Sequence, residues 1–216
     1  NHYYDKPYDV LYKSDIVQKI DFKNGMYNFI YNYNKPKQLY FYYKGGSKLF
    51  ALDSEKNIEK KNFDSNYYGS AFFNYKSNDE LYMLGGYGHY TFKNSIKKYD
   101  FINDTWANIK YVSIDSFNYR TNAKIISKDK NTIFIFGGSG NKKGHQKFGK
   151  NQFYDIWKFN YENKKLEKLN NNIFSNNYIS LESIVQGIYR DGFIYFLITN
   201  NDFNSNVDIW KYDLSD

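Results

Sequence analysis

Cysteine is absent from all 216 residues. That excludes disulfides, thiol catalysis and cysteine metal sites, and leaves the compartment open. Proline is nearly absent, with only Pro7 and Pro36, so turns must use Asn, Asp and Gly, which tolerate positive φ. Arginine is equally scarce. Of the 30 basic residues, only Arg120 and Arg190 are arginines. Base readout and bidentate phosphate recognition lean on Arg, so the net charge of +7 does not point to nucleic acid. No run approaches the length of apolar helix needed to cross a bilayer, so no membrane span is expected. No signal-like segment is visible, and the sequence assigns no compartment. A 3.6-residue apolar period is missing throughout.

Aromatic residues are plentiful, at 22% of the chain. They suit pleated, half-buried surfaces. Asn, Lys, Tyr, Phe and Ile are abundant together, which fits AT-rich codon usage and is a sufficient cause for the lysine excess. Short apolar runs broken by Asn, Asp, Gly and Ser predict strands and turns.

Two of those runs nearly coincide. Leu81-Tyr82-Met83-Leu84-Gly85-Gly86 and Ile133-Phe134-Ile135-Phe136-Gly137-Gly138 lie 52 residues apart. Each is followed by an aromatic-centred strand, Ile96–Asp100 or Asp155–Phe159. The pentapeptide Asp208-Ile209-Trp210-Lys211-Tyr212 repeats the second of these. A strand-and-turn repeat near 50 residues is a mark of radial sheet repeats. We divide the chain, as one domain over 1–216, into a hairpin at 8–22 and four units. The units cover about 26–62, 67–111, 117–170 and 178–216, the last incomplete. Strands are expected near 26–33, 38–43, 48–53 and 57–62; then 68–75, 80–86, 95–100 and 106–111. They continue at 119–127, 131–138, 154–160 and 165–169, and end at 179–189, 193–199 and 207–213. Gly45-Gly46 is expected in a tight hairpin turn. From Gly86 to Tyr99, and from Thr199 to Tyr212, is 13 residues, whereas Gly138 to Phe159 is 21. The third unit thus holds an eight-residue excess, within Ser139–Gln152.

These features resemble the kelch repeat: an apolar strand ending in Gly-Gly, a strand ending in Tyr-Asp, and a Trp seven residues past the Tyr. The second unit has all of it in Gly85-Gly86, Tyr99-Asp100 and Trp106. The third has Gly137-Gly138 and Phe159-Asn160, with Leu166 at the Trp position. The fourth keeps Tyr212-Asp213 but has Ile198-Thr199 for the glycines. The first keeps only Leu52-Asp53. Arg120 matches an Arg typical of the position upstream of a glycine pair. The resemblance covers most of 38–216. It implies an all-β, kelch-type β-propeller of four-stranded antiparallel blades, here about four blades of a larger ring. An open blade face would then favour self-association. Gly85, Gly86, Gly137, Gly138, Tyr99, Trp106, Arg120, Trp157, Phe159, Trp210 and Tyr212 read as structural, the rings filling wedges between blades.

Chemistry is sparse. Of the histidines, His2 is terminal. His89 and His145 each follow a glycine pair, and neither has a carboxylate at ligand spacing, so no metal and no cofactor are expected. No Gly-x-Ser-x-Gly or P-loop occurs. The Tyr–Cys crosslink of copper-radical oxidases in this superfamily is impossible here, and the Glu-x-x-x-Asp-x-x-x-His spacing of nitrile-specifier proteins is missing. A sugar-modifying enzyme similar to kelch-type sialic-acid epimerases would have to draw on Arg120 and Arg190. The resemblance implies instead a non-enzymatic binding module whose inter-strand loops share one face. Those loops carry Tyr87, His89, Tyr90, Phe92 and Lys93, then Lys142, Lys143, His145, Gln146, Lys147, Phe148 and Lys150, with Asp202, Phe203, Tyr67 and Tyr111 nearby. Four lysines and no acid within Ser139–Gln152 predict attraction for an acidic protein segment or a glycan. A solvated lysine loop, or a purely structural domain, is the alternative.

Overall fold

The computed structural model describes residues 27–31, 39–43, 49–52, 58–61, 70–75, 80–100, 103, 105–170, 173–174, 179–181, 183–199 and 207–214. The hairpin expected at 8–22, the Gly45-Gly46 turn, Tyr67, Asp202 and Phe203 lie outside these residues. The fold is all-β, and no α-helix occurs among the described residues.

Antiparallel strands that follow one another need only short connections, and the chain builds its sheets this way. The first sheet joins β1 (Tyr27–Tyr31), β2 (Leu39–Tyr43), β3 (Leu49–Leu52) and β4 (Ile58–Lys61) in chain order. The second unit contains β5 (Ala71–Tyr75), β6 (Glu80–Leu84), β7 (Tyr87–Gly88), β8 (Thr91–Phe92), β9 (Ile96–Asp100) and β10 (Thr105–Ile109). Its sheet runs β5-β6-β9-β10, and β7–β8 stands apart as a small hairpin.

The third unit contains β11 (Tyr119–Thr121), β12 (Lys124–Ser127), β13 (Thr132–Phe136), β14 (Ser139–Asn141), β15 (Asn151–Gln152), β16 (Ile156–Asn160) and β17 (Lys165–Asn170). Its main sheet runs β12-β13-β16-β17, and β11-β14-β15 form a second ribbon. The fourth sheet is β18 (Ile184–Arg190), β19 (Phe193–Thr199) and β20 (Val207–Asp213). Each sheet is an open ribbon.

One expected strand divides in two. The run 119–127 breaks at Asn122, which sits at φ 57. Asn tolerates the left-handed region because its short side chain bonds locally. Before the break Thr121 pairs with Ser139, and after it Lys124 pairs with Phe136. The chain therefore leaves one ribbon and enters the other at this residue.

The sheets stack in chain order. β1 lies against β5, β5 against β12, and β12 against β18. Strand alternation sends successive side chains to opposite faces, and β13 uses both. Ile133 and Ile135, with Trp157 and Phe159, pack on Tyr82, Leu84 and Ile96 of the second unit. Phe134 and Phe136, with Ile126 and Ile156, pack on Leu181, Ile184, Ile194 and Phe196 near or in the fourth sheet. All five residues of β13 are buried. A strand buried on both faces reads as a continuous apolar run rather than an alternating one, which explains Thr-Ile-Phe-Ile-Phe. Each buried ring contributes roughly 1.5–3 kcal/mol.

Polar contacts add to the second sheet. Tyr82 Oη donates to Glu80 at 2.5 Å, and Lys98 pairs with the same carboxylate. Burial pushes the Glu80 carboxyl up. Hydrogen bonds from Lys98 and Tyr82 and the charges of Lys98 and Lys164 outweigh it and hold the group below its ordinary value.

Candidate functional site

Each glycine pair starts a loop in the same way. Gly85 N–H donates to Ser95 O, and Gly137 N–H donates to Asp155 O, both at 3.0 Å. Gly86 O accepts from Lys93 N–H, and Gly138 O accepts from Phe153 N–H, both at 2.8 Å. The eight-residue excess lies inside this frame. It lengthens the β7–β8 hairpin of the second unit into the β14–β15 hairpin of the third. A 3-10 turn at Gln146–Phe148 sits between β14 and β15. The excess is therefore an ordered hairpin.

Glycine is required where the frame meets the next unit. Gly85 has φ +62, and a Cβ there would stand 2.5 Å from Arg120 O. The neighbouring Gly86 N–H donates to that same carbonyl at 2.8 Å, and Arg120 N–H donates to Lys93 O at 2.9 Å. The second and third units thus meet through main-chain atoms.

The Arg120 side chain turns into the third unit, where it is 0% exposed. Its Nη1 and Nη2 donate to the two Asp155 carboxylate oxygens at 2.6 and 2.9 Å, and Nη1 also donates to Gly137 O at 2.8 Å. The rings of Phe117 and Phe153 lie 4.2 and 4.8 Å from the guanidinium carbon. Trp157 Nε1 donates to Asp155 at 2.7 Å. A buried charge persists only when paired and hydrogen-bonded, and this one is both.

The two hairpins are stitched together. Phe92 N–H donates to Gly144 O at 2.6 Å, and Gln146 N–H donates to Tyr90 O at 2.9 Å. Thr91 bridges His145, and Tyr87 Oη donates to the Gln146 side chain. His89 and His145, expected on one rim, therefore lie on adjoining loops. No group of three or more metal-binding side chains occurs among the described residues.

The β7–β8 turn is strained. His89 and Tyr90 sit at φ 49 and 61. Tight hairpin turns want both central residues left-handed, which Asn-Gly supplies cheaply and a bulky Tyr does not. Such strain clusters at functional positions. Tyr90 is also 66% exposed.

Asn141 organises the longer hairpin from within. Its Nδ2 donates to His145 O at 3.0 Å and Gly149 O at 2.7 Å, and its Oδ1 accepts from Lys143 N–H at 3.0 Å. His145 Nδ1 accepts from Lys147 N–H at 3.1 Å. Around this buried centre Lys142, Lys143, Lys147 and Lys150 are all exposed. Lys143 Nζ lies 4.4 Å and Lys147 Nζ 5.1 Å from the centre of the Phe148 ring, which is 45% exposed. The ring gathers two ammonium groups in one place.

The structure thus brings together Tyr87, His89, Tyr90, His145, Phe148 and the four lysines. Lys93 joins the frame through its backbone. Tyr111 stands apart, donating to Asn94 O at 3.2 Å; burial raises its phenol pKa. Arg190 lies exposed beside Asp191, far from the buried environment of Arg120. Asn141 and Asp155 were missed by sequence reasoning. Asn141 precedes Lys-Lys-Gly, a recognisable side-chain-to-backbone turn signal. Asp155 stands in the same pentapeptide context as Asp208, but no spacing rule linked it to Arg120.

No protein-family model matches the chain, and no curated protein matches it.

Proposed function

We propose that the four stacked sheets are part of a kelch-type β-propeller, and that the two stitched hairpins form a non-enzymatic binding rim. The ligand is an acidic protein segment or an anionic glycan. The observation that carries this reading is the joining of two neighbouring loops into one ordered surface. That surface offers Tyr90, Phe148 and four lysines, and no acid occurs in the longer loop. Loops held on a rigid β scaffold are where binding residues concentrate. Clustered positive charge raises the encounter rate with acidic partners. The glycine frame and the successive face-to-face packing of sheets support the architecture.

The sugar-modifying alternative has less to stand on. Arg120 already spends its donors on Asp155, Gly137 and Asn118. Arg190 is at the surface.

The test uses a poly-glutamate peptide and a sulfated glycan as probes at low salt. Changing Lys142, Lys143, Lys147 and Lys150 together to Ala should weaken binding of one probe at least about tenfold, with salt producing the same loss in the parent protein. Tyr90→Ala should weaken it further. Equal binding by the quadruple variant, or no binding of either probe by the parent, would sink the rim reading.

A further inference from the structure

The longer hairpin carries a tighter cluster than its lysine content alone implies. Lys143, His145 and Lys147 alternate along the chain into the 3-10 turn Gln146–Phe148. The ammonium groups of Lys143 and Lys147 share one ring, that of Phe148. Like charges at one ring repel each other, and the π-face offsets part of that repulsion. Among the described residues no carboxylate pairs with either ammonium.

His145 adds a donor of fixed identity. Its Nδ1 accepts the Lys147 N–H at 3.1 Å. A backbone N–H can only donate, so the ring hydrogen sits on Nε2, on an exposed side chain. The three side chains therefore present donors and no free acceptor. The backbone beneath them is already held. Asn141 accepts the Lys143 N–H and donates to His145 O, which also accepts the Phe148 N–H at 3.1 Å. Gln146 N–H is held by Tyr90 O of the short hairpin. Little of the turn is left to be ordered on binding.

We propose that Lys143, His145 and Lys147 form a site for a phosphomonoester carried on a protein segment. The inference rests on the rim reading and narrows its ligand. A phosphomonoester brings nearly two negative charges at neutral pH and three acceptor oxygens. At equal distance each ammonium is attracted about twice as strongly to a dianion as to a carboxylate. One dianion also compensates both ammoniums, where a single carboxylate leaves one charge over. Lysine serves phosphate as a point charge, without the arginine fork. All three side chains are exposed, so a free phosphate ion would keep much of its water there and be held weakly. A carrier chain adds contacts to Tyr90, Lys142 and Lys150, which are exposed on the same two hairpins.

The experiment is calorimetric titration at low salt with one glutamate-flanked peptide. Its central residue is phosphotyrosine, sulfotyrosine or glutamate. The sulfate ester keeps the three oxygens and has one charge, so it isolates the second charge. The phosphopeptide should bind at least about fivefold more tightly than either other form. Lys143→Ala with Lys147→Ala, and separately Phe148→Leu, should bring that ratio close to one, with circular dichroism unchanged. Lys142→Ala with Lys150→Ala should weaken all three peptides and keep the ratio. A phosphopeptide that binds no better than the glutamate form overturns the proposal and leaves the rim reading standing. Binding of none of the peptides removes both. A ratio that survives the Lys143 and Lys147 changes overturns the assignment to this turn. Inorganic phosphate that competes at the concentration of the phosphopeptide itself overturns the protein carrier in favour of a free anion.

Discussion

In the second unit Ser70 donates its hydroxyl to Gly85 O at 3.1 Å, and Ser95 O receives the Gly85 N–H. In the third unit Arg120 donates to Gly137 O, and Asp155 O receives the Gly137 N–H. The backbone bonds are the same, but two serines in one unit are replaced by an ion pair in the other. The hairpins differ in parallel. The short one is tied by Thr91 Oγ1 donating to Gly88 O at 2.8 Å. The long one needs three bonds from Asn141. The difference teaches that the frame is set by main-chain geometry, while side chains scale with the loop they must hold.

The largest way to break this comparison is to remove one side of the ion pair. Arg120→Ala leaves Asp155 buried without its partner and should cost about 3–5 kcal/mol in denaturant unfolding. Arg120→Met with Asp155→Leu should cost much less than the sum of the single changes, since no charge is left buried. A double variant as unstable as that sum would show that the pair itself, and not the avoidance of an orphan charge, holds the unit.

Gly85→Ala comes next. It forces a side chain into left-handed backbone and against the Arg120 carbonyl, so about 2–3 kcal/mol should be lost in thermal unfolding. A neutral result would mean that the inter-unit joint relaxes freely.

The smallest effect separates the hairpins. Asn141→Ala should cost about 1–2 kcal/mol and Thr91→Ala about 0.5–1 kcal/mol. Hydrogen exchange should rise over 142–150 for the first and over 87–92 for the second. Equal protection in both variants would mean that the two hairpins are not held separately.

Much of the fold was legible, because apolar runs and glycine pairs act locally. Leu81–Gly86 and Ile133–Gly138 mark both the strands and the loop starts, and counting from them exposes the eight-residue excess. The inner order of that excess was not legible. Asn141 acts on residues up to eight positions away through carbonyls that leave no trace in composition. The break at Asn122 was hidden because strand propensity runs smoothly through 119–127, while the ribbon each half joins is decided by distant partners. Arg120 was marked as structural by resemblance, but its partner Asp155 lies 35 residues away and only the fold brings them together.

The joint between the second and third units has an evolutionary consequence. Gly86 N–H, Arg120 O, Arg120 N–H and Lys93 O are atoms that every residue except proline possesses. No mutation except to proline deletes them. Only the glycines, which leave room for the approach, are constrained in identity there. A lineage can therefore rewrite nearly all of its side chains around such a hinge while keeping the same assembly, and drift beyond recognition by sequence without any change of shape.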